Sequence, residues 1–399
     1  MKTYTILKPA LLYNLNLHRG RGNLNFSSLI FFIFISFAIH AQKPTVEREN
    51  GAIKIQILAE GLDHPWAIAF LPDNRLLLTE RSGTLKIMDT ANNMSQPVQG
   101  TPEVFAKEQG GMLDVALDPE FDQNNYIYLS YAEPGPDSTA TTALGRGTLQ
   151  NDQISNFEVI FRMEPKVDGA KHFGGRIIFN QEGQILLTLA ERFKFDPAQD
   201  NSNHMGTIVR INKDGSVPED NPFVGQEDAR DEIWSYGHRN IESAAIDPVT
   251  GNLWVAEMGP MGGDEFNQPE AGENYGWPVV SWGRNYDGSQ IPKPDTRPEF
   301  KDAKIVWTPT ISPSGMIFYD GDMYPEWDGH AIIGGLTSSG LVIVRINGTE
   351  AEEIERIPLA ARIRDVEQSP DGSIFVITDS ENGKVLRLEK MDSNKDPKK

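Results

Sequence analysis

The sequence predicts an all-β protein folded as a six-bladed β-propeller, and three observations lead to this prediction. A short apolar strand, a turn containing Asp, Pro, Gly or Asn, and a second apolar strand recur in this order along the chain. Apolar and polar side chains alternate within the strands, as in residues 75–79, and no long stretch has the period of a helix. The pattern occurs six times, which indicates six blades.

Each repeated unit is a small antiparallel sheet that cannot bury both of its faces alone. The units span residues 66–89, 113–132, 175–192, 243–259, 315–336 and 364–389. Neighbouring units are therefore expected to pack radially around a common axis. A β-sandwich or barrel is the alternative, but a spacing of roughly 45 to 70 residues between units suits blades with loop insertions better.

The two ends of the chain are expected to lie outside the propeller. Basic residues precede a short apolar run at residues 29–39, a pattern typical of an export signal, so residues 1–42 are predicted to be a signal peptide. The run is too short to span a bilayer, and no second run is long enough. The propeller is then predicted to occupy residues 43–390, and residues 391–399 to form a disordered tail. The expected location is periplasmic or secreted, with no membrane span in the mature chain.

Composition and charge narrow the class of protein. The chain has 399 residues and 0 cysteines, so it must be stabilised by a buried core without disulfides. Its formal charge of −20 repels nucleic acid and anionic lipid and favours cation binding. A stretch rich in glycine and proline at residues 259–294 is predicted to be a long ordered insertion, where functional residues often lie.

His172 stands in the stretch AKHFGGRIIFN, at a predicted loop just before an apolar strand. A histidine in a loop can act as a general base because its ordinary pKa lies near neutral pH. It can equally be an ordinary polar residue of a turn. The residues around it leave both interpretations open.

Nine motifs follow one another along nearly all of the predicted propeller: HPWAIAFLPDNRLLLTERSG, EQGGMLDVALDPEF, HFGGRIIF, MGTIVRINKDGSVPEDNPF, IWSYGHRN, EMGPMGGDEFN, ENYGWP, PSGMIFY and RIRDVEQSPDG. In this ordered set the chain resembles the soluble aldose or glucose/sorbosone dehydrogenases, six-bladed propellers that use pyrroloquinoline quinone and calcium. The resemblance implies oxidation of an aldose sugar at its anomeric carbon to a lactone, with hydride passing to the quinone. An external electron acceptor and a monomer or homodimer are expected with it.

The resemblance also implies roles for single residues. His172 would be the base that takes the hydroxyl proton, a role that suits a neutral imidazole. The cofactor carries three carboxylates, and the planar fork of arginine fits a carboxylate better than lysine does. The residues implied to bind it are Gln109, Arg239, Asn240, Arg362 and Arg364. Alternatively, the arginines form salt bridges between blades and Gln109 satisfies the backbone of a turn.

Calcium requires hard oxygen ligands. The backbone carbonyls of Gly259 and Pro260 in EMGP match those that bridge the metal to the quinone in the family. A second, structural calcium is implied at Glu265 and at the backbone of Tyr275. The alternative is that the acidic side chain simply faces solvent, as most do in a chain with 57 Asp and Glu residues.

Two departures from the family pattern lie where the cofactor is expected. Glu242 stands where members usually have glutamine, so a negative charge would approach a polyanionic cofactor. At an effective dielectric constant of about 20 and a separation of about 4 Å, the repulsion is on the order of 4 kcal/mol. Thr337, followed by Ser338 and Ser339, replaces a lysine that reaches the quinone in glucose-oxidising members, so one cation is expected to be missing.

Further departures surround His172. Ala190 and Glu191 in TLAERF replace a glycine and an aspartate, so the geometry on the substrate side is expected to differ. Lys171 replaces an amide or an acid beside the histidine. It is expected to restore one positive charge and to lower the pKa of His172.

Two functions therefore remain open. His172 and the three arginines favour a periplasmic, quinone-dependent aldose dehydrogenase. Glu242 and Thr337 favour a propeller that has lost the quinone and acts as a carbohydrate-binding protein, or as a cofactor-free, metal-dependent lactonase or other carbohydrate-active enzyme.

Overall fold

The computed structural model describes residues 45–391, which form six antiparallel sheets arranged as the blades of a propeller, as predicted. The predicted signal peptide (1–42) and residues 392–399 of the predicted tail lie outside the described residues. Within 45–391, no helix is long and apolar enough to cross a membrane. The helices are short and lie in loops: α1 (Phe121–Asn124) and 3₁₀ turns at Pro136–Ser138, Asp196–Gln199, Pro294–Thr296 and Pro325–Trp327.

The strands follow the chain from blade to blade. The first two, which belong to the last blade, are β1 (Thr45–Val46) and β2 (Ile53–Leu62). Blade 1 contains β3 (Pro65–Phe70), β4 (Leu76–Glu80) and β5 (Thr84–Met88). Blade 2 contains β6 (Met112–Leu117), β7 (Tyr126–Pro134), β8 (Ala140–Gln150) and β9 (Gln153–Arg162). Blade 3 contains β10 (Gly174–Phe179), β11 (Ile185–Leu189), β12 (Thr207–Ile211) and β13 (Ile233–Tyr236).

The remaining blades repeat this arrangement. Blade 4 contains β14 (Ile241–Ile246), β15 (Leu253–Glu257), β16 (Asp264–Asn267) and β17 (Ile305–Trp307). Blade 5 contains β18 (Pro313–Phe318), β19 (Ala331–Gly335), β20 (Gly340–Asn347) and β21 (Glu350–Pro358). Blade 6 contains β22 (Ile363–Gln368), β23 (Ile374–Thr378) and β24 (Gly383–Lys390), joined by β2 and β1. Each of the six predicted units thus marks one blade.

The second strand of most blades is buried on both faces, which differs from the alternation expected at residues 75–79. All five residues of β4 are buried, and the same holds for β11, β15, β19 and β23. A blade lies between two neighbours, so both faces of its sheet are covered. Its strands therefore resemble those of a doubly covered sheet, which are apolar throughout.

The hydrophobic core is divided into clusters between neighbouring blades. Leu77 of blade 1 belongs to one cluster with Leu129 of blade 2. Clusters of the same kind join blades 2 and 3, 3 and 4, 4 and 5, 5 and 6, and 6 and 1. Burial between blades therefore stabilises the ring, in agreement with the radial packing expected from the repeats.

Blade 6 joins the two ends of the described chain. β2 pairs with β24 in antiparallel register, beginning with Ile53 opposite Lys390. Arg48, between β1 and β2, donates from Nε to Glu355 Oε1 of blade 5 (2.7 Å). This closure was not predicted because β1 and β2 precede the first repeated unit and lack the pattern of two apolar strands joined by a turn.

Every first strand carries a β-bulge near its beginning. The first strands of neighbouring blades contact one another in a ring around the axis. In the pairing of β3, β6, β10, β14, β18 and β22 with the next strand, the first strand has one extra residue at this point in each case. The skipped residue is Trp66 in β3, Glu242 in β14 and Arg364 in β22. A bulge redirects a side chain out of the regular alternation, and bulges are frequent next to active sites.

Candidate active site

A cavity of about 200 Å³ lies where the bulges of β3, β14 and β22 meet. Its wall contains three arginines and two acids, together with apolar and neutral polar side chains. The lining residues are Trp66, Arg81, Gln109, Glu242, Met258, Ser312, Leu336, Arg362, Arg364 and Asp379. Three of the predicted cofactor residues, Gln109, Arg362 and Arg364, thus share one cavity with the unexpected Glu242. We call it the central cavity.

His172 lies next to the central cavity and is positioned by two side chains. Its backbone N–H donates to Gln109 Oε1 (2.7 Å), and its Nδ1 lies 2.6 Å from Glu191 Oε1. Because a carboxylate only accepts, Nδ1 carries the proton and donates it to Glu191, which leaves the lone pair on Nε2. Nε2 has no hydrogen-bond partner within the described part of the chain. The imidazole is therefore in the tautomer that a general base requires.

Two backbone N–H groups fix the Glu191 carboxylate at the oxygen that does not contact His172. The side chain is fully buried, and its Oε2 accepts the backbone N–H groups of Lys194 (2.5 Å) and Phe195 (2.8 Å). The carboxylate thus accepts three hydrogen bonds, one of them from His172. The departure from aspartate to glutamate at this position places a carboxylate directly against the imidazole.

The pKa of His172 is lowered from its ordinary value. Burial is the largest cause; the hydrogen bond with Glu191 opposes it, and the Arg239 guanidinium adds to the lowering. The direction agrees with the expectation for Lys171, but the cause differs. The Lys171 ammonium lies over the ring of Phe193, 5.2 Å from its centre. The imidazole is therefore neutral at neutral pH, as a base must be.

The loop that carries His172 is braced by Arg192, a residue that the sequence analysis missed. His172 has a φ of 52°, in the left-handed region that favours glycine. Arg192 donates to the carbonyls of Gly169 (2.8 Å) and Lys171, and its guanidinium lies 3.7 Å from the centre of the Phe173 ring. Burial lowers the pKa of Arg192 to about 10. These contacts hold the base in an unfavourable backbone conformation.

Glu242 is paired with an arginine, so its charge is compensated within the protein. Its Oε2 accepts from Arg364 Nη1 at 2.5 Å, and its Oε1 accepts from Asn240 Nδ2 at 3.1 Å. Burial opposes the charge of Arg364, but the carboxylates of Glu242 and Asp379 raise the pKa of Arg364 above its usual value. The expected repulsion between Glu242 and an anionic ligand is therefore reduced, while one predicted cofactor arginine is partly engaged.

Asp379, the second acid of the central cavity, was also missed. Its Oδ2 accepts from Arg362 Nη2 (2.9 Å) and Arg364 Nη2 (3.1 Å). Burial alone would raise the pKa of Asp379, but the nearby guanidinium groups of Arg364, Arg362 and Arg81 lower it to about 2. Asp379 therefore aligns the two arginines of the RIRD motif side by side. Arg364 thus pairs with Glu242 of another blade, as the alternative interpretation expected, whereas the ion pair of Arg362 with Asp379 lies within blade 6.

Arg239 and Asn240 lie beside the central cavity and do not line it. Arg239 Nη1 donates to the carbonyls of Met258 (2.8 Å) and Gly259 (2.9 Å), and its Nη2 to the Tyr286 hydroxyl (3.1 Å). Asn240 reaches the cavity through its hydrogen bond to Glu242. Its buried Oδ1 and the Nε of Arg239 have no partner within residues 45–391.

Two glutamates face each other at the predicted structural metal site. Glu257 of β15 and Glu265 of β16 are directly opposite in the sheet register, where like charges repel. Burial and the Glu257 carboxylate raise the pKa of Glu265 to about 8. Both residues line a small closed cavity together with Gly259 and Tyr275. The structure thus brings three of the four predicted metal-binding residues together and adds Glu257, a carboxylate that the sequence analysis missed.

The donor chemistry around this small cavity fits a hard cation. The buried Oδ1 of Asn267 has no partner in the described range, and Nδ2 of the same residue donates to Glu257 (3.1 Å). No group of three or more His, Cys, Asp or Glu side chains able to hold a metal occurs within residues 45–391. An ion here would therefore depend on backbone carbonyls as well as the two acids, as calcium commonly does. Pro260 lies outside the lining and packs against Gly283.

The predicted insertion contributes aromatic side chains next to the base. Phe193 lies 5.0 Å from the His172 ring and 6.1 Å from the ring of Tyr286, which the insertion carries. Phe195 packs on Trp277 of the same insertion at 5.7 Å. Tyr286 is 58% exposed, so an aromatic surface borders the site. Apolar ring faces of this kind suit the C–H faces of a sugar.

Comparisons with known proteins identify one matching family and several relatives. The chain matches the family model described as glucose/sorbosone dehydrogenase over residues 62–387. It is 40% identical over 367 residues to an aldose sugar dehydrogenase of Escherichia coli K12, covering 90% of this chain and 97% of the relative. The apo-form crystal structure of the soluble aldose sugar dehydrogenase from Escherichia coli has a TM-score of 0.83 and 40% identity, covering 85% of this chain and 100% of that chain.

A more distant relative carries a cofactor class in its name. The quinoprotein glucose dehydrogenase B of Acinetobacter calcoaceticus is 27% identical over 254 residues, which is 57% of this chain and 52% of that protein.

Proposed function

The chain belongs to the glucose/sorbosone dehydrogenase family, and from this premise we propose that it oxidises aldose sugars to lactones, with pyrroloquinoline quinone as hydride acceptor. Its relatives named as sugar dehydrogenases support an oxidoreductase that acts on sugars. The relative named as a quinoprotein supports the cofactor. The basic and apolar pattern of residues 1–42 supports a periplasmic or secreted enzyme. We further propose an external electron acceptor and a monomer or homodimer.

The observation that carries the proposal is the pairing of His172 with Glu191. An oxidation at the anomeric carbon needs a base for the hydroxyl proton, and Nε2 of His172 is the unprotonated nitrogen of a neutral imidazole. His172 Nε2 takes the proton while the electron pair of the C1–H bond leaves as hydride, and the C1–O bond becomes the lactone carbonyl. Glu191 stabilises the imidazolium that forms, as a carboxylate does behind a catalytic histidine.

The central cavity supplies the fixed cations that an anionic quinone needs. Arg362 and Arg364 are held side by side by Asp379 and present guanidinium groups to carboxylates. Gln109 links this cavity to the base through the backbone of His172. The quinone, when bound, supplies the carbonyl carbon that accepts the hydride. The chain's own residues orient the reactants and move the proton.

We propose that calcium binds at two positions, one beside the cofactor and one with a structural role. The carbonyls of Gly259 and Pro260 would hold an ion beside the cofactor, and Arg239 already fixes the first of these carbonyls. Glu257, Glu265 and the backbone of Tyr275 would hold a structural ion. Support for the second place comes from the opposed pair of carboxylates, since a cation relieves their repulsion.

A second function is favoured by one observation. Arg364 is bound to Glu242 at 2.5 Å, so the protein itself supplies a carboxylate where the family places a neutral amide. A propeller with such an internal pair could work without the quinone, as a carbohydrate-binding protein or as a metal-dependent lactonase. Glu242 would then be a working acid or a metal ligand.

Reconstitution decides between the two functions. The purified protein is loaded with pyrroloquinoline quinone and calcium, and reduction of an artificial electron dye is followed over a panel of aldoses, with quinone-free protein as control. Sugar-dependent dye reduction only in the loaded protein is expected. Absence of quinone binding at micromolar concentration by calorimetry would favour the quinone-free function.

A further inference from the structure

Arg81 is a third arginine of the central cavity, and neither the sequence motifs nor the proposed mechanism gave it a role. It follows β4 directly, and its backbone is fixed on both sides. Its N–H donates to the carbonyl of His64 (3.2 Å), and its carbonyl accepts from the N–H of Met112 (3.2 Å). These two hydrogen bonds therefore fix the backbone of Arg81 between blades 1 and 2, and its side chain reaches the cavity from there.

The guanidinium of Arg81 differs from those of Arg362 and Arg364 in having no partner. It makes no hydrogen bond or ion pair with any of residues 45–391, whereas the other two are bound to Asp379 and Glu242. Burial lowers the pKa of Arg81; Asp379 opposes this effect, and Arg364 adds to it. A guanidinium has five donors, and because none of those on Arg81 is bound by residues 45–391, they are available to a ligand.

The charges of the cavity do not balance without a ligand. Three arginines face two acids, and of the four acid oxygens only Oδ1 of Asp379 has no partner within residues 45–391. Glu242 uses its two oxygens for Arg364 and Asn240, and Asp379 uses Oδ2 for Arg362 and Arg364. The excess positive charge of the cavity is therefore located on Arg81.

The position where glucose-oxidising members of the family have a lysine cannot supply that charge. The hydroxyl of Thr337 lies 2.9 Å from the carbonyl oxygen of Thr310 and 3.0 Å from Ser312 Oγ, so its hydrogen bonds are made to the neighbouring loop. Leu336 before it lines the cavity with an apolar side chain. A ligand carboxylate therefore finds no cation on this side of the cavity.

We propose that Arg81 anchors a carboxylate of the anionic ligand of the central cavity and replaces the cation lost at Thr337. The ligand class is a planar aromatic polycarboxylate, whose carboxylates match the fork of a guanidinium. Where that ligand is the quinone, the inference rests on the proposed function. Arg81 then binds the ligand without taking part in proton transfer.

The test measures binding by calorimetry for two probes, pyrroloquinoline quinone with calcium and benzene-1,3,5-tricarboxylate. Arg81→Gln is expected to weaken each probe that the wild type binds at least tenfold, as expected for lost charge-assisted hydrogen bonds. Arg81→Lys, which keeps the charge, should recover part of the loss. The matched control is Arg345→Gln, which removes an exposed arginine paired with Glu352 on blade 5 and should leave binding unchanged.

The outcomes separate this inference from the proposed function. If the wild type binds the tricarboxylate through Arg81 but not the quinone, the quinone function fails and the role of Arg81 stands. If Arg81→Gln binds every probe as the wild type does, or if the wild type binds neither probe, the inference is overturned.

Thermal unfolding without ligand provides an independent readout. Because Arg81 has no partner in the ligand-free protein, Arg81→Gln should leave the melting temperature unchanged or raise it. A melting temperature several degrees lower in both Arg81→Gln and Arg81→Lys would mark Arg81 as a structural residue and overturn the inference.

Discussion

The two sides of the candidate site are built in different ways. On the base side, His172 and Glu191 are 19 residues apart in sequence, and the carboxylate is fully hydrogen-bonded. On the arginine side, Glu242 and Arg364 are 122 residues apart, and buried polar atoms such as Arg364 Nε and Asp379 Oδ1 have no partner within residues 45–391. The base side is complete in the ligand-free protein, while the arginine side has bonding capacity left for a ligand.

This difference predicts which measurements respond to which substitutions. Changes on the base side should alter the rate of the chemical step and leave cofactor affinity nearly constant. Changes on the arginine side should alter affinity, its dependence on salt, and the stability of the ligand-free protein. A base-side variant that weakens cofactor binding, or an arginine-side variant that slows the chemical step at saturating cofactor, would show that the two sides act as one unit.

The largest effect is expected for His172→Ala. General-base assistance typically contributes about 10²–10⁴ in rate, so turnover should fall about 100-fold or more. Cofactor affinity, measured by calorimetry on the same preparation, should stay within about threefold because the imidazole is hydrogen-bonded to Glu191, while the bond to Gln109 is made by the backbone, which the substitution keeps. Equal losses of turnover and affinity would instead mark His172 as a ligand or a structural residue.

A smaller effect on rate is expected for Glu191→Gln. The amide keeps the volume but loses the negative charge that stabilises the imidazolium, so kcat should fall about tenfold or more with little change in KM. The hydrogen bond with Glu191 raises the pKa of His172, so its weakening should move the acid limb of the rate profile to lower pH. A limb that does not move would contradict a direct role of Glu191 behind the base.

On the arginine side, Glu242→Gln is expected to tighten the quinone about tenfold. The substitution releases Arg364 from its ion pair and removes a negative charge from the cavity, so the gain should be greatest at low ionic strength. The ligand-free protein should lose about 1–3 kcal/mol of stability because the buried guanidinium of Arg364 loses one of its two charged partners.

The matched control for this comparison is Glu352→Gln, which breaks an exposed pair with Arg345. It should change neither affinity nor stability by more than about 1 kcal/mol. Loss of all activity in Glu242→Gln without a change in quinone affinity would support the quinone-free function, with Glu242 as a working acid. No change in either would show that the ion pair does not affect the site.

The smallest effect is expected from pH. Burial and Arg239 hold the pKa of His172 below its ordinary value of about 6.5. The base is active when unprotonated, so kcat/KM should be flat above about pH 6.5 and fall as the pH drops through the lowered pKa. A profile measured from pH 4.5 to 8.5 tests this. An acid limb centred above pH 7 would contradict the burial of the base.

The parts of the molecule that could be predicted from the sequence depend on local contacts. The six blades follow from strand and turn patterns within each unit, and His172 follows from the HFGGR motif. Gln109 was predicted as a ligand of the cofactor, and the structure places it in the central cavity with a bond to His172. The resemblance implied a metal site at Glu265, and the structure adds Glu257 from the adjacent strand.

The parts that could not be predicted depend on residues from different blades. Glu242 read alone is a repulsive charge, and only the fold shows that Arg364 neutralises it. Arg81 ends the first motif at TERSG and Asp379 stands in TDSENG, and neither had an expected role because the ring brings them together from distant parts of the sequence. The role of Arg192 could not be predicted because its partners are backbone carbonyls, which any sequence provides.

The closure of the ring by β2 and β24 sets the order of events in folding. The ten residues of β2 precede all six repeated units, and their partner strand belongs to the last of these units. Contacts between residues so far apart in sequence form slowly, and an unpaired strand edge is prone to associate with other chains in the meantime. The propeller therefore cannot close until its sixth unit has been made. A chain ending before residue 383 is expected to unfold without a cooperative transition in calorimetry, even though five blades are intact in its sequence.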